Sequence, residues 1–514
     1  MLLELFLLLV VPLIILLIQG KFVSKGDNSD QYFHIYLIKS IKENKNRFIT
    51  KQDYVFPHKD LFYPQLIHFL FAFFPISSFT KLSNKVPIIV AMLSNLAVYF
   101  YMKVLMAEGI IEFDNAEWIQ FLLLFVLTPY TYNAANAKNT GFSARGFGLL
   151  LGFSYTFSML FYVNGFQYHY WIMIAITTLM YMSSQFGSQF LILFSIILGV
   201  ICKELTIAIL PILGFMLFLL VHRKLAIVSF RGQFGHKRNY SKHLAQRFIL
   251  QHRFSIWRDL IYDFYKMILK REQSFKNILI YIYTNNFVTI LAGFPLLIVI
   301  AYLLLTNNYE TKNEIFLSSM VLAGFLAFFV TSFRKTRFLG EPERYIEMIM
   351  PIIVLAFLVL NKNNISVYNL LFIIVAILLF DKAFLYLRTR NQTGAKASTL
   401  DWVFEHTGSN VKTRIISNNV NTNKNLVSFK KIAVFHNILY KKKLGSIEFK
   451  SLFKVYPTIS PKVIPTIINE FGIQFLLLDK MRIETDELVE MEQQLNDFEI
   501  IAEKGQNVLY KIKQ

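Results

Sequence analysis

Apolar runs recur through most of the first 390 residues, and no water-soluble fold could bury so many of them. They lie at 1–18, 86–106, 118–134, 146–163, 170–183, 189–202, 204–221, 280–305, 315–333, 345–360 and 365–387. A weaker run at 64–76 holds His68 and is bracketed by Pro64 and Pro75, which suits a re-entrant or interfacial helix. A straight membrane helix needs about 20 apolar residues, and several of these runs are shorter. The predicted fold is mainly α, a polytopic transmembrane helical bundle of about 11–12 spans, with a soluble α/β domain at the C-terminus. Charged residues make up 17% of the 514, against about 25% in soluble domains. The 52 Phe and 26 Tyr exclude a disordered chain. Cys202 is alone, which excludes an internal disulfide and a cysteine-based metal cluster.

Met1–Ile18 carries one acid, Glu4, and lacks both a basic n-region and a small-x-small cleavage site. It reads as an uncleaved signal-anchor and first transmembrane helix. The polar stretch Lys21–Asp60 after it is far too charged to sit in lipid, and the loop it opens runs over 21–84. The region 222–278 is strongly basic, and Ile256, Leu260, Ile261, Phe264 and Ile268 recur at helical spacing within it. That pattern suggests a basic amphipathic helix on a membrane surface. The expected domains are therefore 1–388, the transmembrane part with both loops, and 389–514, the soluble α/β part.

Within 389–514 the pattern predicts a helix at Leu400–His406 and strands at Arg414–Ser417 and Ile432–Phe435. Ser460-Pro461 opens a helix to Phe471, because proline suits the first helical turn. Gly472 ends that helix, and Ile473–Asp479 forms a buried strand. Glu484–Leu495 is a charged helix. Phe498–Ala502 and Asn507–Ile512 close a hairpin. The excess of 53 Lys+Arg over 33 Asp+Glu gives a formal charge of +20. In a membrane protein such an excess meets lipid headgroups or a phosphate-bearing ligand. No nucleic-acid motif accompanies it.

Four stretches carry candidate chemistry. Gly26-Asp27-Asn28-Ser29-Asp30-Gln31-Tyr32-Phe33-His34 follows the first helix. Asp30 suits the N-cap of a helix running to about Asn44, with His34 one turn on along the same face. The plain alternative is a capped amphipathic helix with solvated acids. Tyr63-Pro64 opens an aromatic helix containing His68, which could equally be membrane packing. Asn136–Gly148 combines small residues with Arg145, which could clamp a phosphate bidentately or snorkel to headgroups. Arg334–Tyr345 gathers Arg337, Glu341 and Arg344 between two apolar helices. Such a cluster is costly near lipid and suggests a polar cavity or an anionic ligand, or a topology-setting loop.

Together these residues resemble the GT-C glycosyltransferases, polytopic enzymes that use lipid-phosphate-linked sugars. Asp30-Gln-Tyr-Phe-His34, followed by Ile38 and Ile41, is similar to their acid–x–aromatic–x–His pattern in the first external loop. Tyr63-Pro64 through His68 resembles the helix closing that loop. Trp118–Gly148 resembles their third helix running into the second external loop. The C-terminal module, with Gly472 to Asp479 and Val508-Leu509-Tyr510-Lys511-Ile512, resembles the soluble domain of the oligosaccharyltransferase catalytic subunit. Two departures stand out: no acid lies between Asn133 and Gly148, and no Trp-Trp-Asp sequon motif is present. Peptide N-glycosylation and a required metal are therefore not implied.

The resemblance implies sugar transfer from a polyprenyl-phosphate donor to a cell-envelope glycan, lipid or protein. Catalysis would fall to Asp30 as base, with Asp27 and His34 orienting it or holding a divalent cation (Mg or Mn) with it. Arg145, Arg337, Glu341, Arg344, Tyr63 and His68 would bind substrate and phosphate. No cofactor is required, and the partners are the donor, the acceptor and membrane lipids. The resemblance places the chemistry on the extracytoplasmic side of a bacterial cell membrane. The positive-inside tendency instead draws 222–278 to the cytoplasm. Two other functions share these features. One is an O-antigen polymerase or ligase, which needs neither the acidic pair nor the C-terminal domain. The other is a lipid-linked glycan transporter or flippase, which more often shows repeats and mid-span charges.

Overall fold

A computed structural model of the chain describes residues 2–23, 29–57, 61–76, 85–128, 142, 144–239, 265, 268–269, 295–332, 336, 339–340, 342–361, 365–390, 400–436, 443–448, 451–455, 458–480, 483, 485–494 and 498–512. Some side chains within these ranges, Asp30 among them, lie outside the description.

The chain opens with α1 (Leu2–Leu5), a π-helical turn (Phe6–Val10) and α2 (Val11–Val23). Then come α3 (Ser29–Glu43), β1 (Val55–Pro57) and α4 (Leu66–Ala72). A helical series follows: α5 (Val86–Ala107), α6 (Asn115–Leu127), α7 (Arg145–Val163), α8 (His169–Ser183), α9 (Gln185–Ile201) and α10 (Leu205–Asn239). It continues with α11 (Pro295–Thr306), α12 (Lys312–Ser332), α13 (Glu343–Met348), α14 (Met350–Leu360) and α15 (Val367–Arg390). The last part holds α16 (Asp401–Thr407), β2 (Arg414–Ser417), α17 (Val420–Phe429) and β3 (Ala433–His436). After them come β4 (Lys443–Leu444), β5 (Ile447–Glu448), β6 (Phe453–Val455) and β7 (Thr458–Ile459). It ends with α18 (Ile464–Phe471), β8 (Phe475–Asp479), α19 (Thr485–Gln494), β9 (Phe498–Lys504) and β10 (Asn507–Ile512).

These elements form two compact units. One comprises Met1–Gly26, Asn84–Ala226 and Leu250–Thr393, and the other Asp27–Ser83, Ile227–Ile249 and Gly394–Gln514. The sequence reading placed 21–84 with the helical part. In the structure 27–83 belongs to the unit that contains the C-terminal sheet.

The first unit is helical. Among the described residues, α5, α7, α12 and the Leu205–Gly235 part of α10 are long and apolar enough to cross a membrane. Six further apolar segments, such as Gln185–Ile201 and Met350–Leu360, are shorter. Element length alone therefore leaves the span count open between these limits. Phe121, Phe125, Phe153, Phe157, Phe190 and Phe194 lie in its core with almost no exposed surface. Local signals set the helix ends. Asp114 and Glu117 form a capping box at α6, each side chain bonding the other's backbone N–H. Ser184 caps α9 by accepting from Gly187 N at 3.1 Å. Lys203, at φ 54°, turns the chain between α9 and α10, so Lys203-Glu204 separates two helices there. The acid of the first helix is fully used: Glu4 accepts from Lys103 Nζ at 3.0 Å, Trp118 Nε1 at 2.8 Å and the Tyr99 hydroxyl at 2.9 Å.

The second unit is built on a six-stranded sheet in the order β1-β3-β2-β8-β10-β9. The first four strands are parallel, and β10 runs antiparallel to both β8 and β9. The predicted 460–471 helix appears as a 3₁₀ turn, Pro461–Val463, leading into α18. Gly472 ends it at φ 57°. The terminal hairpin turns at Gly505, φ 63°. Two features lie beyond the sequence reading. β1, from the first loop, forms the sheet edge by pairing with β3 through Val55–Val434 and Phe56–Phe435. α3 packs on α17 and buries Tyr36, Leu37, Ile38 and Ile41 almost completely. Lys430 then ties α17 to the first loop. It pairs with Glu43 and sits over the rings of Tyr36 at 5.8 Å and Tyr54 at 5.1 Å. Gly232 of α10 lies against the ring of Phe62 in the same unit.

Candidate functional site

Two constellations emerge, one in each unit. The first is ionic and sits at the start of α7. Arg145 is the first residue of that helix, whose N-cap, Ala144, has no side chain to bond the terminal N–H groups. Arg145 Nη2 donates to Glu347 Oε1 at 2.9 Å and to Oε2 at 3.2 Å. Arg344 Nη1 donates to the same carboxylate at 2.8 and 3.1 Å. The Glu347 side chain is 4% exposed, that of Arg344 10% and that of Arg145 13%. Arg145 Nε is buried without a hydrogen-bond partner. The Arg344 guanidinium lies 5.2 Å from the Phe186 ring centroid. Glu343, one turn before Glu347 on α13, is buried as well.

Backbone packing explains this meeting. A Cβ on Gly148 would lie 2.5 Å from Ser184 Oγ, and one on Gly152 would lie 2.4 Å from Met348 Sδ. The bare Gly152 backbone lets α13 settle on α7 with Glu347 beside Arg145, and the bare Gly148 backbone admits the Ser184 cap of α9. Tyr345 anchors the other side by donating to the Leu339 carbonyl at 2.8 Å.

The second constellation is aromatic. His34 of α3 and His68 of α4 share a hydrogen bond of 2.8 Å between Nδ1 and Nε2. Their rings stack at 5.1 Å, and Tyr63 stands edge-on to both, at 5.4 and 5.6 Å. Both imidazoles are buried. With seven residues, α4 is too short to cross a membrane. Burial holds the His68 pKa well below the usual histidine range, and the nearby His34 adds to that. The Pro64 carbonyl opposes it.

Of the sequence candidates, the structure thus brings Arg145 to Arg344, and His34 to Tyr63 and His68. Asp30 is the second residue of α3, inside the helix rather than at its cap. Asp27, Arg337 and Glu341 lie outside the described residues. The sequence reading missed Glu347. Its signal was an acid three residues after Arg344 at the head of an apolar run. Among the described residues, no group of three or more His, Cys, Asp or Glu is placed to hold a metal ion.

In the C-terminal sheet β2 is flanked by β3 and β8, so the strand order reverses beside the carboxyl end of β2. Asn418 closes that point. Its amide donates to the Asp479 carbonyl at 3.1 Å, and its oxygen accepts from Asp479 N at 2.9 Å.

No protein-family model matches the chain. No curated protein matches it either. Among solved structures it is similar to the archaeal oligosaccharyltransferase AglB from Archaeoglobus fulgidus, in complex with an inhibitory peptide and a dolichol-phosphate. The two are 11% identical, with a TM-score of 0.48, over 98% of this chain and 74% of that one. Likeness at that level fixes neither a shared fold nor a shared activity.

Proposed function

We propose that the chain is an integral-membrane glycosyltransferase. It would move a sugar from a polyprenyl-phosphate-linked donor to a cell-envelope glycan, lipid or protein. The observation that carries this reading is the convergence of Arg145 and Arg344 on one buried carboxylate, with Arg145 Nε buried and unbonded. Guanidinium forks of this kind suit a phosphate oxygen. Their position at the head of a long apolar helix suits a phosphate attached to a lipid. The acid–x–aromatic–x–His pattern at Asp30 to His34 supports the same reading from the sequence.

The roles follow from the chemistry of transfer. The bond between the anomeric carbon and the phosphate oxygen breaks, and the polyprenyl phosphate leaves with the electron pair. Arg145 and Arg344 stabilise the charge on that leaving group, with Arg337 assigned alongside them. The acceptor hydroxyl oxygen bonds to the anomeric carbon, and its proton passes to Asp30. Asp27 and His34 set the state of Asp30, or hold a divalent cation with it. Glu341, Tyr63 and His68 are assigned to substrate binding.

The test compares surface glycans and lipid-linked sugars in a deletion strain rescued by wild type or by Asp30→Asn at matched membrane abundance. Wild type should restore a missing glycan, while the variant accumulates a polyprenyl-phosphate sugar. Full rescue by Asp30→Asn would reduce that acid to a helix-start residue and remove the assigned base.

A further inference from the structure

Glu347 is the group that the proposed mechanism does not use, yet it organises the arginine site. Its two oxygens receive four short contacts from two guanidiniums that lie 202 and 3 residues away in the chain. Side by side, those guanidiniums would repel each other, and a buried carboxylate between them removes that cost. The same carboxylate fixes their directions, because each is held through its terminal nitrogen. Arg145 is thereby left with its buried Nε unbonded. The close approach of Met348 to Gly152 fixes α13 against α7, so Glu347 has little freedom to follow a ligand.

We propose that Glu347 is a positioning residue for lipid-phosphate transfer. It holds Arg145 and Arg344 in one fixed fork and cancels one of their two charges, while making no bond to the substrate. This rests on the transferase reading above. The arrangement trades ground-state affinity for geometry. A phosphate is bound less tightly than it would be without the Glu347 charge, but it is bound in one orientation.

Glu347→Gln keeps the shape and removes the charge. The probe is a synthetic polyprenyl phosphate, and its binding to the full chain in detergent is followed by native mass spectrometry. Glycan restoration in the deletion strain, at matched membrane abundance, is the second readout. The variant should bind the probe several-fold more tightly and yet restore glycan about tenfold less well. A purely structural carboxylate would not tighten binding. Unchanged or weaker binding by a folded Glu347→Gln overturns the proposal, as does full glycan restoration. If that variant fails to accumulate, Glu347→Asp serves, since it keeps the charge but is one methylene too short to reach both arginines. It should bind the probe as wild type does and restore less glycan, and equal restoration overturns the proposal. A wild-type chain that binds no polyprenyl phosphate removes the transferase reading and this proposal with it. Wild-type binding with an indifferent Glu347→Gln removes the proposal alone.

Discussion

Lys39 Nζ donates a 2.8 Å hydrogen bond to the carbonyl of Ser428, a residue 389 positions further along the chain. The helix that carries Asp30 and His34 is thus fastened to the C-terminal part. Lys430, with its pairing to Glu43 and its place over Tyr36 and Tyr54, makes a second tie.

Lys430→Ala should therefore loosen a region far from it in sequence. Removing a buried cation over two rings, and its ion pair, should cost about 1–2 kcal/mol locally. Hydrogen exchange in the full chain is the measurement. Faster exchange in 29–43 is expected, and unchanged protection there would show that α3 stands without this tie.

The buried imidazole pair predicts a pH response. Because the folded-state pKa of His68 is depressed, the unfolded chain binds protons that the folded chain refuses. Stability should be full above the ordinary histidine value of about 6.5 and fall as pH drops below it, by up to about 1.4 kcal/mol per pH unit. Thermal unfolding at pH 7.5 and pH 5.5 checks this. In His68→Gln the difference between the two conditions should shrink, and an equal difference in both proteins would point to other groups.

Arg145→Lys keeps the charge but loses the planar fork. Transfer should fall by roughly tenfold or more, the scale expected when a bidentate charge-assisted contact is lost. Glycan restoration at matched abundance is the readout. A lysine that works as well as arginine would show that only net charge matters at this position.

Gly148→Ala tests how closely α7 packs on the start of α9. The added methyl would lie 2.5 Å from Ser184 Oγ and 2.9 Å from its Cβ. Something must shift, at an expected cost of about 1–3 kcal/mol. A lowered unfolding temperature in detergent, with reduced glycan restoration, is the expected result. Wild-type behaviour would mean that α7 and the start of α9 can part without consequence.

Local patterns carried much of this fold. Proline at 461, Gly472 and the Phe475–Asp479 run mark their elements with chemistry that acts within a few residues. Arg145 and Arg344 were legible as charges at the ends of apolar runs. Glu347 was not, because hydrophobicity averaged over 345–360 conceals one acid whose partner lies on another helix. β1 was invisible for a similar reason. Val55-Phe56-Pro57 is too short to show alternation, and it becomes a strand only by pairing with a segment near the other end of the chain. α17 was not read from the sequence either, and α3 covers its apolar side.

The pairing of β1 with β3 also counts membrane crossings. Strands joined by backbone hydrogen bonds cannot lie on opposite sides of a hydrocarbon layer, so the chain must cross an even number of times between Pro57 and Ala433. The packing of Gly232 on Phe62 imposes the same parity between those two residues. If each apolar run read from the sequence is one crossing, those at 86–106, 118–134, 146–163, 170–183, 189–202 and 204–221 give six, and those at 280–305, 315–333, 345–360 and 365–387 bring the total to ten. A crossing at 64–76 would make these seven and eleven, so on that count parity requires that 64–76 not cross, in keeping with the seven residues of α4. The β1 segment, Gly232 and the β3 segment then share one compartment. A tag at the C-terminus therefore reports the side of the membrane on which β1 lies.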